Sequence, residues 1–202
     1  MQLYWAQGTP NGRRVDIFLA EKGIEMARVN VDLRGGENLR EEFRKINPFG
    51  RVPVLQLDDG SHLSESVAIC RYLENQHPDP CLFGSTPETA AQVEMWSRRA
   101  EMNFFLQVAM AFRNITGFFK DREKVSPEWG EISQETAAQA LPIFDARLGE
   151  SEYLAGDAFS IADITLCCAY DFAKAVKVQI PTDLPNVNRW HAALSERPSF
   201  SA

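Results

Sequence analysis

The sequence predicts a two-domain chain, with an α/β domain built on a four-stranded mixed sheet and a second domain made only of helices. Up to residue 77, alternating apolar runs and helical spacings follow the order β-α-β-α-β-β-α, which suits one sheet with helices on its faces. After residue 87 only helical spacings occur, and the residues between are rich in proline and turn formers. We therefore expect domains at residues 1–77 and 88–202, joined by a linker at residues 78–87.

The first three elements follow from simple spacing. Gln2–Trp5 predicts a short strand, and residues 9–12 predict a turn. Residues 13–22 carry apolar side chains at helical intervals and precede Gly23, which fits the C′ position of a helix. Residues 27–33 alternate between apolar and polar side chains, which is typical of a half-buried strand.

The rest of the first domain is predicted in the same way. Leu39, Phe43 and Ile46 indicate a second helix, which the Asn-Pro pair at residues 47–48 should end. Residues 52–57 form the next predicted strand, and the Asp-Asp-Gly-Ser turn after it should pair the following residues antiparallel to it. A third helix is expected at Ser66–Gln76, and its buried side would consist of Val67, Cys70 and Leu73.

The second part shows the spacing of amphipathic helices. A long helix is predicted from an apolar stripe of Ala91, Met95, Met102, Phe105, Ala109 and Phe112. The next helix, which Pro142 should kink, is predicted from a stripe of Ile132, Ala137, Leu141, Phe144 and Leu148. Ser160 and Asp163 resemble a capping box that opens an apolar helix through Ala175. The last helix is marked by Val187, Trp190 and Leu194.

Charge and cysteine usage narrow the range of functions. The formal net charge of −7 disfavours binding to nucleic acid or to an anionic membrane surface. The first residues lack the pattern of a signal peptide, and no stretch approaches the ~18–20 apolar residues of a membrane span. The four cysteines and three histidines show no metal-binding spacing. We therefore expect a cytoplasmic protein with reduced thiols and no metal.

Two short segments carry the most specific chemical signal. The Val52–Pro53 pair opens a predicted strand, and Glu65 and Ser66 open a predicted helix. A helix N-terminus holds an anion well, because its first amides are unsatisfied and its dipole is positive there, and a strand edge binds an extended peptide. This combination suits glutathione, a small γ-glutamyl peptide. The residue types alone also allow a structural role, in which Ser64 or Ser66 caps the helix and Glu65 favours its first turn.

The order of several motifs resembles that of the cytosolic glutathione transferases. The motifs are Thr-Pro-Asn-Gly-Arg-Arg-Val at residues 9–15, Ala-Glu-Lys-Gly at 20–23, Asn-Pro at 47–48, Val-Pro-Val-Leu at 52–55, Ser-Glu-Ser at 64–66, Phe-Ser-Ile-Ala-Asp-Ile at 159–164 and Arg-Pro at 197–198. Each motif is weak by itself, but together they cover essentially the whole chain at family spacing. The resemblance implies a thioredoxin-like N-terminal domain, an all-α C-terminal domain and a homodimer.

The resemblance also implies residues that bind glutathione, which would be the co-substrate. Glu65 would pair with the α-ammonium group of the γ-glutamyl end, and Ser66 would hold its α-carboxylate. The Val52–Pro53 pair would have a cis peptide bond, and the Val52 backbone would bind the cysteinyl part as an added strand. Asn38 and Arg51 match positions that contact the glycine carboxylate in several classes, although either residue type is also common on a solvated surface.

The sequence departs from the family at the residue that would stabilise the glutathione thiolate. A free thiol has a pKa of ~8.5, so it needs a hydrogen-bond donor to ionise at neutral pH. Gly12 stands where similar sequences have a serine, Pro10 aligns with the cysteine of another class, and Tyr4 fits the core better. Thr9 and Asn11 remain as candidates. The turn resembles that of the bacterial nu-class and yeast prion-like relatives, in which disulfide reduction is typical.

The resemblance further implies an apolar site for an electrophilic substrate against the long helix. Met102, Phe105 and Phe112 are the candidate wall residues, with Phe118 and Phe119 nearby in sequence. Three functions therefore stay open. The first is transfer of glutathione to a hydrophobic electrophile, the second is glutathione-dependent reduction of a disulfide, and the third is a non-catalytic glutathione-binding or interaction module on the same fold.

Overall fold

A computed structural model describes residues 1–201, which form two compact units. The first unit contains Met1–Leu82 together with the C-terminal residues from Pro198 onward, and the second contains Phe83–Arg197. The return of the last residues to the first unit has no signal in the sequence. Ser199 secures it by donating its hydroxyl hydrogen to the carboxylate of Glu21.

The sheet of the first unit has four strands in the order β2-β1-β3-β4 and confirms the predicted mixed sheet. The strands are β1 at Gln2–Trp5, β2 at Ala27–Asn30, β3 at Val54–Gln56 and β4 at His62–Ser64. β2 runs parallel to β1, whereas β3 is antiparallel to both β1 and β4. β2 and β3 are shorter than predicted, because β1 offers only the residues from Gln2 to Trp5 for pairing.

Helix α1 spans Pro10–Glu21 and therefore begins earlier than the predicted start at residue 13. Thr9 is its N-cap, since the Thr9 hydroxyl oxygen accepts a hydrogen bond from the Gly12 amide at 3.3 Å. Proline suits the first helical position, where its missing N–H costs nothing. At the other end, Gly23 has a φ of 62° and supports a Schellman motif, as its spacing predicted.

The predicted second helix is broken in two. A 3₁₀ turn covers Glu37–Leu39, and helix α2 covers only Glu41–Ile46. Arg40 between them is extended, with φ of −69° and ψ of 155°, so Leu39 does not belong to the same helical face as Phe43. Helix α3 spans Ser66–Gln76 as predicted, and Val67, Cys70 and Leu73 are buried as predicted. Its buried side also includes Ile69, which the prediction omitted.

A buried ion pair joins the ends of α1 and α3. The Lys22 ammonium lies 2.6 Å from a Glu74 carboxylate oxygen and also donates to the backbone carbonyls of His77 and Pro80. The other Glu74 oxygen accepts from the Leu82 amide at 2.9 Å. Because a buried charge is tolerated only when it is paired and hydrogen-bonded, these contacts fix the two helices and the chain that leaves α3.

The second unit consists of helices, as predicted. They are α4 at Pro87–Ala100, α5 at Leu106–Thr116, α6 at Pro127–Glu150, α7 at Ile161–Ala175 and α8 at Pro185–Ser195. A π-helical segment at Glu101–Phe105 separates α4 from α5. The predicted stripe is wrong at Ala91, which is exposed, and at Met102, which is 58% exposed, whereas Phe104 is fully buried. The wider π-helical turn shifts the helical register at Met102.

Helix α6 continues past Pro142, which lies on its exposed side. The stripe predicted for it is correct from Ala137 onward but wrong at Ile132, which is exposed. The neighbouring residue Ser133 is buried in its place. The apolar residue type misled the prediction, because the helical phase set by the later buried positions selects residue 133.

The N-terminus of α7 is held by a network of buried hydrogen bonds. Ser160 and Asp163 form the predicted capping box, and the fully buried Asp163 carboxylate also accepts from the Leu154 amide at 2.8 Å and the Trp190 indole at 3.0 Å. Burial raises the pKa of Asp163 above its usual range, and these hydrogen bonds offset part of that rise. This carboxylate ties α7, α8 and the preceding loop together.

Cys70, Cys167 and Cys168 are buried, whereas Cys81 is exposed. In residues 1–201, no helix has the length and apolarity required to cross a membrane.

Candidate functional site

The N-terminus of α3 has an unusual backbone. Glu65 precedes the helix with φ of 71° and ψ of 114°, a left-handed conformation that is costly for a residue with a Cβ atom. Its exposed side chain makes no capping hydrogen bond, so the first amides of α3 receive no cap from it. Strained residues of this kind occur most often at ligand sites, where the surrounding fold enforces them.

Ser66, the first residue of α3, is buried and its hydroxyl is held in place by α1. The Ser66 oxygen accepts a hydrogen bond from the Arg14 guanidinium at 2.6 Å, and the hydroxyl lies 3.3 Å from the side-chain oxygen of Asn11, to which it donates. The same Arg14 nitrogen donates to that Asn11 oxygen at 2.9 Å. Asn11, Arg14 and Ser66 therefore form one hydrogen-bonded cluster.

Arg14 is the site residue that the sequence prediction missed. Its side chain is fully buried, which is rare for arginine. A signal was present, because Arg14 stands three and four residues before Ile17 and Phe18 and so shares the apolar face of α1. Its charge on the buried side of α1 is therefore the sequence feature that marks Arg14 as a candidate site residue.

The two candidate sulfur ligands differ in their available donors. The Thr9 hydroxyl donates to the Ala6 carbonyl at 2.8 Å, so its hydrogen is already used within the chain. In Asn11 the side-chain oxygen faces Arg14 and Ser66, which leaves the amide nitrogen as the donor of that side chain.

The structure also explains why Gly12 departs from the serine found in similar sequences. A Cβ atom at Gly12 would lie 2.7 Å from the Thr9 hydroxyl oxygen and 3.3 Å from the Ala6 carbonyl oxygen. A side chain at this position would therefore displace the Thr9 cap. Tyr4, another possible donor, packs edge-on against Phe43 with ring centroids 6.3 Å apart, which agrees with the predicted core role.

The second candidate segment lies next to α3. The Val52–Pro53 bond is cis, as the resemblance implied. Val54 pairs with Ser64 in the β3–β4 ladder, so the residues just before Val54 and just after Ser64 emerge at the same end of this strand pair. The sheet register thus brings Val52–Pro53 beside Glu65. Because the pairing of β3 with its neighbours begins at Val54, the Val52 backbone lies outside the ladder.

The loop before Val52 is fixed from within. Asn47 is buried, and its side chain donates to the Arg51 carbonyl at 2.9 Å and accepts from the Phe49 amide at 3.1 Å. The Asn38 side chain donates to the Gly50 carbonyl at 2.7 Å, and its oxygen is buried without a hydrogen-bond partner among residues 1–201. The Arg51 side chain is exposed to solvent. The loop therefore presents Asn38 and Arg51 on a rigid backbone.

The three candidate electrophile contacts lie in the second unit and differ in exposure. Met102 is exposed and Phe105 is buried. Phe112 is partly buried and packs against Phe118 and Phe172, with ring centroids 5.4 Å apart in both pairs. Met102 and Phe112 consequently offer accessible apolar surface, whereas Phe105 does not.

Comparison with known proteins identifies both parts of the chain. The family described as glutathione S-transferase, N-terminal domain, matches residues 9–76, and the corresponding C-terminal domain family matches residues 102–198. Glutathione S-transferase 2 of Saccharomyces cerevisiae is 36% identical over 203 residues, covering 98% of this chain and 87% of that protein.

Solved structures agree with this assignment. A glutathione S-transferase domain-containing protein from Marinobacter aquaeolei is 38% identical, with a TM-score of 0.96 and coverage of 99% of this chain and 100% of that chain. A glutathione S-transferase of class Gtt2 from Vibrio parahaemolyticus is 42% identical, with a TM-score of 0.88 and coverage of 100% and 96%. With a thioredoxin-like first unit, a helical second unit and relatives of this similarity along its whole length, the chain belongs to the glutathione S-transferase family.

Proposed function

We propose that this protein binds reduced glutathione in its first unit and adds the glutathione thiolate to a hydrophobic electrophile. The observation that carries this proposal is the N-terminus of α3, where the helix begins without a side-chain cap from Glu65 while the Ser66 hydroxyl is oriented by Arg14. Uncapped amides, a positive helix dipole and a buried cation all favour an anion at this point. The α-carboxylate of glutathione is that anion in the proposal.

The γ-glutamyl end of glutathione would be bound by two neighbouring residues. The Ser66 amide would bind the α-carboxylate, and the Ser66 hydroxyl would turn its hydrogen from Asn11 to the same group. Arg14 would hold the Ser66 oxygen through the hydrogen bond that it donates to it. The exposed carboxylate of Glu65 would pair with the α-ammonium group. The left-handed backbone of Glu65 would then have a function, since it sets the direction in which this carboxylate leaves the chain.

The remainder of the peptide would lie along the β3 end of the sheet. The Val52 backbone, which is outside the strand ladder, would pair with the cysteinyl residue as an added strand. The glycine carboxylate would be bound by Arg51. The Asn38 amide nitrogen has one hydrogen committed to Gly50, and its second hydrogen would complete the contact to the same carboxylate.

In the chemical step the thiol loses its proton to water, and the thiolate forms a carbon–sulfur bond with the electrophile while a leaving group departs with its bonding electrons. We assign the sulfur contact to the Asn11 amide nitrogen, supported by the positive end of α1. Thr9 would act indirectly, by capping α1 and thereby holding Asn11 in place. We assign the electrophile contacts to Met102 and Phe112, because these candidates have accessible apolar surface.

Glutathione-dependent disulfide reduction is the second candidate function. The observation that favours it is the turn at residues 9–12, where the Thr9 hydroxyl donates to Ala6 and Gly12 supplies no side chain. Such a turn stabilises a thiolate less strongly than a dedicated hydroxyl would. A reaction of two glutathione molecules with a disulfide substrate makes smaller demands on that stabilisation, since an activated disulfide has a good leaving group.

We also propose a cytoplasmic homodimer. The exposed thiol of Cys81 fits a reducing compartment. On the rigid loop before Val52, the aromatic side chain of Phe49 is 80% exposed, and an aromatic residue presented in this way suits insertion into a second copy. Phe49→Glu should convert the dimer to a monomer in light-scattering measurements, whereas Phe118→Glu, on another exposed phenylalanine, should leave the dimer intact.

Two assays distinguish the proposed reactions. One measures addition of glutathione to an aryl halide, and the other measures glutathione-driven reduction of a small disulfide. Asn11→Ala should lower the rate of aryl-halide addition by about 10-fold or more while glutathione still protects against thermal unfolding. Asn30→Ala, at the exposed end of β2, is the matched control. Activity with the disulfide alone would replace the transferase proposal by the reductase, and thermal protection without either activity would indicate a binding module.

A further inference from the structure

A group of three metal-ligating side chains lies in the second unit, and the proposed glutathione chemistry does not use it. One ligand atom each from Cys167, Asp171 and His191 lies within 4.8 Å of the other two. The Cys167 sulfur is 3.8 Å from one Asp171 carboxylate oxygen, and the other oxygen is 2.5 Å from the His191 Nε2 atom. The Asp171 carboxylate therefore stands between a thiol and an imidazole.

The fold brings these residues together through two helices. Cys167 and Asp171 are four residues apart on α7, so their side chains leave the same face one turn apart. His191 lies on α8 directly after Trp190, whose indole nitrogen donates to the buried Asp163 carboxylate at 3.0 Å. The Tyr170 ring packs against the imidazole with centroids 5.1 Å apart. The three side chains are consequently held by the core rather than by a loop.

The donor set matches a known kind of metal site. Zinc binds thiolate, imidazole and carboxylate ligands at ~2.0–2.3 Å, which puts neighbouring ligand atoms of a tetrahedron about 3.2–3.7 Å apart. The separations of 2.5 and 3.8 Å at Asp171 bracket this range, so modest side-chain rotations would suffice. Cys167 is 1% exposed, whereas Asp171 and His191 are partly exposed, which gives an ion access from the solvent side.

We propose that Cys167, Asp171 and His191 form a site for a divalent transition-metal ion, with zinc as the best match. The protein would supply three ligands and water the fourth. Binding releases the thiol proton of Cys167 to solvent, and the metal then bonds to the thiolate sulfur, a carboxylate oxygen and the neutral imidazole. The competing explanation is an Asp171–His191 ion pair that only joins α7 to α8, in which case Cys167 takes no part.

Cobalt(II) is the probe for this site, because a cobalt–thiolate bond gives a charge-transfer absorption band that other ligands do not. The experiment uses the full chain with Cys81→Ser, which removes the exposed thiol. We expect one cobalt ion per chain with this band, and loss of the band in Cys167→Ala. Cys168→Ala is the matched control, since Cys168 is an equally buried neighbour outside the cluster, and it should keep the band.

Two further variants keep the test decisive if Cys167→Ala does not fold. Asp171→Asn and His191→Gln change partly exposed side chains and should weaken cobalt and zinc binding by about 10-fold or more. Zinc should raise the unfolding temperature of the parent and of the Cys168→Ala variant, but not of these two. The proposal is overturned if cobalt gives no thiolate band, or if binding persists unchanged in Cys167→Ala or His191→Gln.

Discussion

The N-termini of α3 and α7 have similar residue types but differ in their capping hydrogen bonds. At α7, Ser160 and Asp163 turn inward: the Ser160 oxygen accepts from the Ala162 amide, and the Asp163 carboxylate accepts from the Ser160 amide. At α3, the carboxylate of Glu65 is exposed and makes no cap, and the Glu65 backbone has a positive φ. One helix end is closed by its own chain, and the other is left open.

The difference separates a helix end that is bonded within the fold from one whose first amides have no side-chain cap. A fully bonded carboxylate such as Asp163 leaves nothing for a ligand to contact, so its role is to join elements of the fold. An open helix end has the reverse property, because its first amides have no side-chain cap and can bind an anion.

Asp163→Ala should cause the largest change. The substitution leaves the donors from Leu154, Ser160 and Trp190 buried without an acceptor, so we expect the free energy of unfolding to fall by about 3–5 kcal/mol. Chemical denaturation followed by circular dichroism measures it. Asp157→Ala, on an exposed aspartate, should change stability by less than about 0.5 kcal/mol. Equal losses in both variants would show that the closed helix end has no special role.

Ser66→Ala should act mainly on binding. We expect the affinity for glutathione to fall about 10-fold or more, equivalent to about 1.4 kcal/mol, because the α-carboxylate loses the hydroxyl. Stability should fall by only about 1 kcal/mol, since Arg14 keeps its hydrogen bond to Asn11. Titration calorimetry checks the affinity, with Ser64→Ala in β4 as the matched control. Unchanged affinity in Ser66→Ala would mean that the open end of α3 is not the ligand site.

Thr9→Ala tests the N-terminus of α1, which has a side-chain cap like α7 but lies beside the proposed sulfur contact. Loss of the cap on Gly12 should cost about 1 kcal/mol of stability, and Thr9→Ser should retain it. If Thr9 acts only through the cap, Thr9→Ala should lower the rate of glutathione addition modestly, because the turn at residues 9–12 then holds Asn11 less firmly. A rate loss of about 100-fold or more with little change in stability would instead assign the sulfur contact to the Thr9 hydroxyl.

Glu65→Gly and Glu65→Ala should give the smallest and most informative difference. Both remove the carboxylate, so both should weaken glutathione binding. Glycine accepts a positive φ without strain, so the glycine variant should be more stable than the alanine variant by about 0.5–1 kcal/mol. Denaturant midpoints of the two variants provide the comparison. An alanine variant as stable as the glycine variant would show that the Glu65 backbone stores no strain.

The sequence could predict whatever depends on local spacing. The mixed sheet, the Gly23 stop, the Ser160–Asp163 capping box and the buried side of α3 all follow from residue patterns within a few turns or strands. The errors at Ala91, Met102 and Ile132 arise because a stripe of apolar residues reveals neither the phase of a long helix nor a π-helical segment within it. For the same reason the second helix was predicted as one piece across Arg40.

Residue identity and order are enough to indicate the family, the position of Glu65 and Ser66 at the start of a helix, and the unusual turn at residues 9–12. Which side-chain donors remain available to a ligand depends on contacts that form only in the folded chain. The tertiary structure joined Arg14 on α1 to Ser66 on α3, committed the Thr9 hydroxyl to Ala6, and gathered Cys167, Asp171 and His191 from two helices. Such contacts link residues that are far apart in the chain, and a hydrogen bond depends on distance and direction that residue order does not encode.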